Sequence, residues 1–351
     1  MKHIDGKAWV RLLLSLVLLV IIVVIVAAGV AWQRYARFVR TPLAVQGTSQ
    51  TLDIARGSSL DRIVATLRAR KLTSARTLYW RALAMRMGVE HALDAGEYVL
   101  KSGMTPPQFL QMLASGKVLQ HDFTLVDGWT FKQVRAALAK TPELVHASTG
   151  LTGAQIMQRI GAGNRKPEGW FLPQTYAYVK GDTDLDVLKR AYQAMRKVLV
   201  VQWAQRDPDV PLTTPYQALI LASLVEKETA NASERPRIAG VFVRRLKLGM
   251  PLQTDPTIIY GLGDRYNGDI TFKDLRIDTP YNTYLHKGLP PTPIAMPGLP
   301  AIHAALHPAE GNALYFVARG DGSGRHVFSA TLAEQNRAVA CYQLKKKNQC
   351  R

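Results

Sequence analysis

Residues 213–249 read TTPYQALILASLVEKETANASERPRIAGVFVRRLKLG, and two consecutive helices can be read directly from them. Thr214-Pro215-Tyr216-Gln217 has the form of a capping box, with Thr at N-cap, Pro at N1 and Gln at N3. The run that follows is almost wholly apolar up to Glu226, so the first helix lies in an apolar setting where a carboxylate is expensive. Ser233 is placed to cap the second helix, and Gly249 to end it. Beyond it, residues 250–300 are rich in Pro, Gly, Asn, Tyr and Thr; so long an irregular stretch in a folded domain is usually functional. The turn 320–324 between the apolar runs 313–317 and 326–329 predicts a hairpin, and a last helix is expected over 332–344.

Working toward the N-terminus, a long helix is expected over 184–205. The aromatic run GWFLPQTYAY occupies 169–178, and a strand over 120–126 precedes an Asp127-Gly128 turn. Residues 48–118 read as strand, helix, helix, strand and a third helix opened by Thr105-Pro106-Pro107. Leu60, Ile63, Val64 and Leu67 give the first of these helices its apolar face. That order is the pattern of a LysM-type carbohydrate-binding unit, and many small α+β units share it. The expected class is α+β: one N-terminal transmembrane helix, a small LysM-like α+β module, and a larger mixed α+β catalytic domain.

The 21 residues Leu12–Trp32 carry no charge, enough to span a hydrocarbon core of about 30 Å. They are too long for a usual signal-peptide core, although Ala27-Ala28-Gly29 could mimic a cleavage site. The expected layout is a cytoplasmic tail 1–11, a membrane helix 12–32, a stalk 33–47, the module 48–118 and the catalytic domain 119–351. Three basic residues flank each end of the span, so charge barely orients it; a short N-terminal tail favours N-inside with the large domain exported. The chain has 351 residues and a net charge of +19. An exported domain this basic would meet an anionic envelope polymer or the lipid surface and not nucleic acid. Cys341 and Cys350 exclude a disulfide scaffold, though they could pair with each other. His303-Ala-Ala-Leu-His307 lacks the glutamate of the zinc-protease pattern, and no metal or cofactor is expected.

Glu226 is the first candidate for chemistry. Burial would raise its pKa and favour the neutral acid, the form a glycosidic oxygen needs from a proton donor. An ordinary helix-surface glutamate paired with an arginine fits the spacing equally well. Glu228 stands about 200° around the helix and reads as an ion-pair or capping residue. A hydrolase needs a second carboxylate, for which Glu168 and Asp255 are candidates, although Asp255 before Pro256 also reads as a turn former. Gln253, Thr254, Asn282 and Thr283 offer neutral groups suited to sugar hydroxyls and N-acetyl groups, and tyrosines such as Tyr284 could stack on sugar faces.

LASLVEKETANASERPRIAGVFVRRLKLGMPLQTDPTIIYGLG, YNTYLHKGLPPTPIAMPG, HPAEGNALYFVARGDGSGRHVFS and EGWFLPQTY, taken in order, resemble the endolytic murein transglycosylase (YceG-like) family over nearly the whole chain. The resemblance implies a bacterial inner-membrane enzyme, single-pass, with its large domain on the outer side. It would cut peptidoglycan glycan strands internally, between N-acetylmuramic acid and N-acetylglucosamine, leaving 1,6-anhydro ends. It assigns the catalytic acid to the first glutamate of VEKET, Glu226. Gln253, Thr254, Asp255, Asn282, Tyr284 and Glu168 become candidates for holding the sugars. Peptidoglycan, membrane lipid and a peptidoglycan synthase are the partners it implies. A non-catalytic peptidoglycan-binding scaffold and a two-carboxylate muramidase are the competing readings. Met296 stands where IAxPG is expected to carry a polar residue.

Overall fold

The computed structural model describes residues 6–90 and 92–344, and the chain divides into two units at residue 120. The first opens with helix α1, Gly6–Arg40, which is long and apolar enough to cross a membrane. Its apolar side chains from Leu12 to Val26 are exposed, as a lipid-facing surface requires. The expected stalk is largely absent. The helix continues through Arg40, and Phe38 and Leu43 are buried in the core of the unit. The ring of Phe38 meets Trp80 at 5.1 Å and Tyr79 at 5.8 Å. The Leu43 N–H donates to the Met104 carbonyl (2.8 Å) and the Ala44 N–H to that of Leu72 (2.9 Å). Apolar residues placed so soon after the apolar run gain more by burial than an extended tether could offer.

Strand β1 (Ser49–Ile54), helices α2 (Leu60–Ala69) and α3 (Thr77–Met87), strand β2 (Gly96–Lys101) and helix α4 (Pro106–Ala114) follow. β1 and β2 pair antiparallel from Ser49↔Lys101 to Ile54↔Gly96. Alternation buries Leu52 and Ile54 on one strand and Tyr98 and Leu100 on the other. Ser59 caps α2, and a Thr105/Gln108 box with Pro106 at N1 starts α4. The order strand, helix, helix, strand is the one the sequence predicts.

The second unit contains strand β3 (Gln120–Thr124), helices α5 (Phe131–Leu138) and α6 (Gly153–Arg159), strand β4 (Thr175–Val179) and helix α7 (Asp184–Ala204). Then come α8 (Pro215–Glu228), α9 (Arg235–Lys247), α10 (Asp255–Leu262), α11 (Leu299–Leu306), the hairpin β5 (Tyr315–Ala318) and β6 (His326–Ser329), and α12 (Leu332–Tyr342). β3 pairs with β4, and β5 with β6 in antiparallel register. α8 lies at the centre: it packs against α7, α9, α10 and α11, and every residue from Ala218 to Val225 is buried. This is why its sequence has no polar face.

Three local expectations change. Gln217 reaches back past the Thr214 N-cap to the Thr213 N–H (2.7 Å). Asn231, not Ser233, is the capping side chain before α9, because a 3-10 turn (Ala232–Glu234) takes up Ser233. Asp255-Pro256 opens α10 and does not form a turn; Pro at the second helical position costs no hydrogen bond. Cys341 is buried, while Cys350, with which it could pair, lies outside the described residues.

Candidate active site

Glu226 sits in the last turn of α8, and its side chain is 5 % exposed. Arg235 Nη2, at the start of α9, donates to Oε1 at 2.9 Å. The N–H of Gly298, the N-cap of α11, donates to Oε2 at 3.0 Å, so the positive end of that helix faces the carboxyl. The segment carrying Gly298 is pinned to α8 one turn earlier, where Ser223 Oγ accepts the Ile294 N–H (3.0 Å). A Cβ on Gly298 would overlap the carboxylate of Asp127, which explains glycine at a position of ordinary φ.

A cleft of about 440 Å³ opens over the end of α8, lined by Asp127, Trp129, Gln133, Glu226, Glu228 and Arg235 among others. Burial raises the pKa of Glu226 and the charge of Asp127 adds to that; the Gly298 N–H and Arg235 act against it. Asp127→Asn removes one raising influence, so the Glu226 pKa falls and its protonated form persists over a narrower range. A carbon-13 carboxyl titration is expected to place the Glu226 midpoint at lower pH in that variant. An unmoved midpoint would disconnect the two carboxylates.

Glu228 lines the same cleft, because the cleft wraps the end of the helix and two helix faces reach it. It was expected to pair with a cation or to cap. Instead its Oε1 accepts the hydroxyl of Thr254, and burial pushes its pKa up to about 7. Thr254 is the N-cap of α10 and is itself buried. Next to it, Tyr284 donates to Asp255 Oδ1 at 2.6 Å, and Gln253 holds a left-handed φ of 53°. Arg245, 6 % exposed, fixes this loop by donating to the carbonyls of Pro251 and Leu252 and to Gln253 Oε1, each at 3.0 Å. Asn282 is buried and occupied within its own loop: its amide donates to the Leu275 and Ile277 carbonyls and accepts from the Tyr284 and Leu285 N–H groups.

Glu168 lies elsewhere. It accepts the Phe131 N–H (2.9 Å) and the Tyr260 hydroxyl (3.0 Å), and it lines a cavity of about 660 Å³ whose lining does not include Glu226. Burial pushes its pKa up to about 7. Both Glu168 and Glu228 thus hold their protons more tightly in the folded chain than in the unfolded one. Their contribution to stability is complete below the unfolded value near 4.5 and is lost as pH rises through about 7. The melting temperature is therefore expected to fall from pH 5 to pH 8, and less steeply in Glu168→Gln/Glu228→Gln. Parallel curves for the two proteins would refute the assignment.

Sequence reasoning missed Asp127, Arg235 and Gly298. Asp127 reads as half of a turn, and Arg235 as one helical cation among many. Gly298 before Leu-Pro-Ala-Ile does carry a helix-start signal, and a helix start is a natural partner for a carboxylate. The polar residue expected at position 296 has no polar task there. The Met296 side chain is fully buried, and only its backbone serves the site, bonding to Trp129 and Gly128.

Fold and site define an α+β protein with an apolar N-terminal helix and a cleft lined by two largely buried carboxyls, Glu226 and Glu228. The YceG-like family pattern matches residues 52–341, and the chain belongs to that family. It is 30 % identical over 320 residues to the endolytic murein transglycosylase of Bacillus subtilis strain 168, covering 84 % of this chain and 85 % of that one. It is 30 % identical over 259 residues to the protein of that name in Streptococcus pneumoniae R6, spanning 64 % of this chain but 46 % of that longer one. The crystal structure of a YceG-like protein of Listeria monocytogenes covers 83 % of this chain with a TM-score of 0.51 and 27 % identity.

Proposed function

We propose that this chain is a membrane-anchored endolytic lytic transglycosylase of peptidoglycan, with Glu226 as its one acid and base. The observation that carries the reading is the setting of that carboxyl. It is nearly sealed from water and is raised in pKa, yet two donors are in place to hold the anion once its proton has left. Protonated Glu226 gives its proton to the oxygen linking N-acetylmuramic acid to N-acetylglucosamine. Positive charge then develops on the muramoyl ring, in a cleft that Asp127 also lines. The carboxylate takes the proton of that sugar's C6 hydroxyl, whose oxygen attacks C1 and closes the 1,6-anhydro ring. One carboxyl serves twice, and intramolecular attack gains from proximity.

The cluster of Gln253, Thr254, Asp255 and Tyr284 supports a sugar-holding role through its exposed members, Gln253 and Asp255. Asn282 serves by keeping that loop in shape. Glu168, in its own cavity, supports a role outside the bond-breaking step. The strand, helix, helix, strand unit is read as a LysM-like glycan-binding module. α1 is read as the inner-membrane anchor, with the large unit on the outer face. Anchoring would raise the effective concentration of cleft and nascent strand, where a peptidoglycan synthase is the partner expected.

The test is mass spectrometry of the products made from purified peptidoglycan by the full chain in detergent. Anhydro-muramic ends are the expected result. Reducing ends would make it a muramidase. Intact glycan, with the protein folded and bound to it, would make it a scaffold.

A further inference from the structure

We propose that the basic cleft at the end of α1 binds the phosphate headgroup of an anionic membrane lipid. The inference rests on α1 as a membrane span and is independent of the glycan chemistry. The cleft, about 760 Å³, lies between the last turns of α1 and the segment joining α2 to α3. Arg34, Arg37, Arg68, Lys71 and Arg76 line it, and no aspartate or glutamate does. Among the described residues none of the five is in an ion pair, whereas Arg81 on α3 is paired with Asp61. Five like charges around one cleft repel, and no residue lining it supplies a counter-charge, so an external anion relieves the arrangement.

Position selects the source of that anion. Arg34 is the first charged residue after the uncharged run Leu12–Trp32, and Arg37 follows one helical turn later on the same face. A helix crossing the bilayer through that run sets both guanidinium groups at the level of lipid headgroups. The cleft is also shaped, unlike a polybasic tail. Phe38 and Tyr79 form a stacked wall. Lys71 is held at a left-handed φ of 57° by the Leu72 N–H bond to Leu67 (2.8 Å) and the Ala44 N–H bond to Leu72 (2.9 Å). Arginine forks fit phosphate oxygens two at a time, and the hydroxyls of Thr73 and Ser74 on the rim offer neutral donors to the remainder. The aromatic wall beside the cations suits a headgroup still joined to its acyl chains better than a free ion.

The experiment uses the full chain purified in neutral detergent. Flotation with phosphatidylcholine vesicles comes first, and co-flotation establishes insertion of α1. Failure to float overturns the span, and the headgroup site with it. Vesicles of phosphatidylcholine mixed with phosphatidylglycerol are then used, and the lipid retained after detergent extraction is counted by native mass spectrometry. Saturable retention of phosphatidylglycerol over phosphatidylcholine is expected. Arg37→Gln/Arg68→Gln/Arg76→Gln should lower it at least tenfold and leave flotation unchanged, since all three side chains are exposed. The corresponding triple lysine variant keeps the charge but loses the forks, and should fall between the two. Undiminished retention in the glutamine variant, or no preference in the parent, overturns the proposal. So does saturable binding of inorganic pyrophosphate without any lipid preference, which would make the ligand a free phosphate.

Discussion

Replacing Glu226 by glutamine is expected to lower glycan cleavage by roughly 10²- to 10⁴-fold, the usual contribution of a positioned acid and base. The neutral amide keeps the size of the side chain and can still accept the Gly298 N–H, so the α11 start stays where it is. What is lost is the proton, and with it both halves of the proposed mechanism. The loss should fall on kcat with little change in KM, because the substitution leaves the cleft walls intact. Activity of the parent should decline as pH rises through the elevated Glu226 pKa, because the acid must be protonated to act. Retention of more than a tenth of the parent rate would remove Glu226 from the chemistry. Glu228 would then be the next carboxyl to test, since it lines the same cleft and its pKa is pushed up to about 7.

Arg245→Met is expected to destabilise the second unit by about 3 kcal/mol, because it strands one buried and three partly buried acceptors at once. Arg245 Nε donates to the Leu314 carbonyl (2.7 Å), and Nη1 serves the carbonyls of Pro251 and Leu252 together with Gln253 Oε1. Its guanidinium also lies 4.9 Å from the Tyr315 ring centre, tying the loop after α9 to the β5 strand. Burial lowers the pKa of this arginine, a sign that its charge is costly and kept for those carbonyls. Methionine fills much of the same space, so the effect isolates hydrogen bonding from packing. Urea unfolding of the second unit would measure the loss. Hydrogen exchange over 250–254 should quicken in the same variant, since Gln253 no longer needs to hold its left-handed backbone. A loss below about 1 kcal/mol would mean that water replaces the guanidinium at those carbonyls.

The helices with strong local signals were legible in advance. α2 shows its face at Leu60, Ile63, Val64 and Leu67; α8 shows its start at Thr214-Pro215; the β5–β6 hairpin shows its glycine turn. α10 was hidden because Asp-Pro-Thr begins helices and turns alike, and packing against α8 decides between them. The end of α1 was hidden for a related reason. Tyr35, Phe38 and Leu43 look like a tether until their partners Trp80, Tyr79 and Met104 are in place. Of the site, Glu226 stood out because a charge in an apolar run is anomalous. Asp127 and Gly298 are ordinary in their own neighbourhoods.

The sequence by itself determined the apolar run, the order of the main elements and Glu226 as a candidate acid, because each rests on interactions within a few residues or on an unbroken run of one residue type. Only the tertiary structure decided what surrounds that acid. Asp127, Arg235 and Gly298 come from three segments scattered along the chain. The pKa of Glu226 depends on the distances at which they meet, and those are set by how α8, α9 and α11 pack rather than by any local preference.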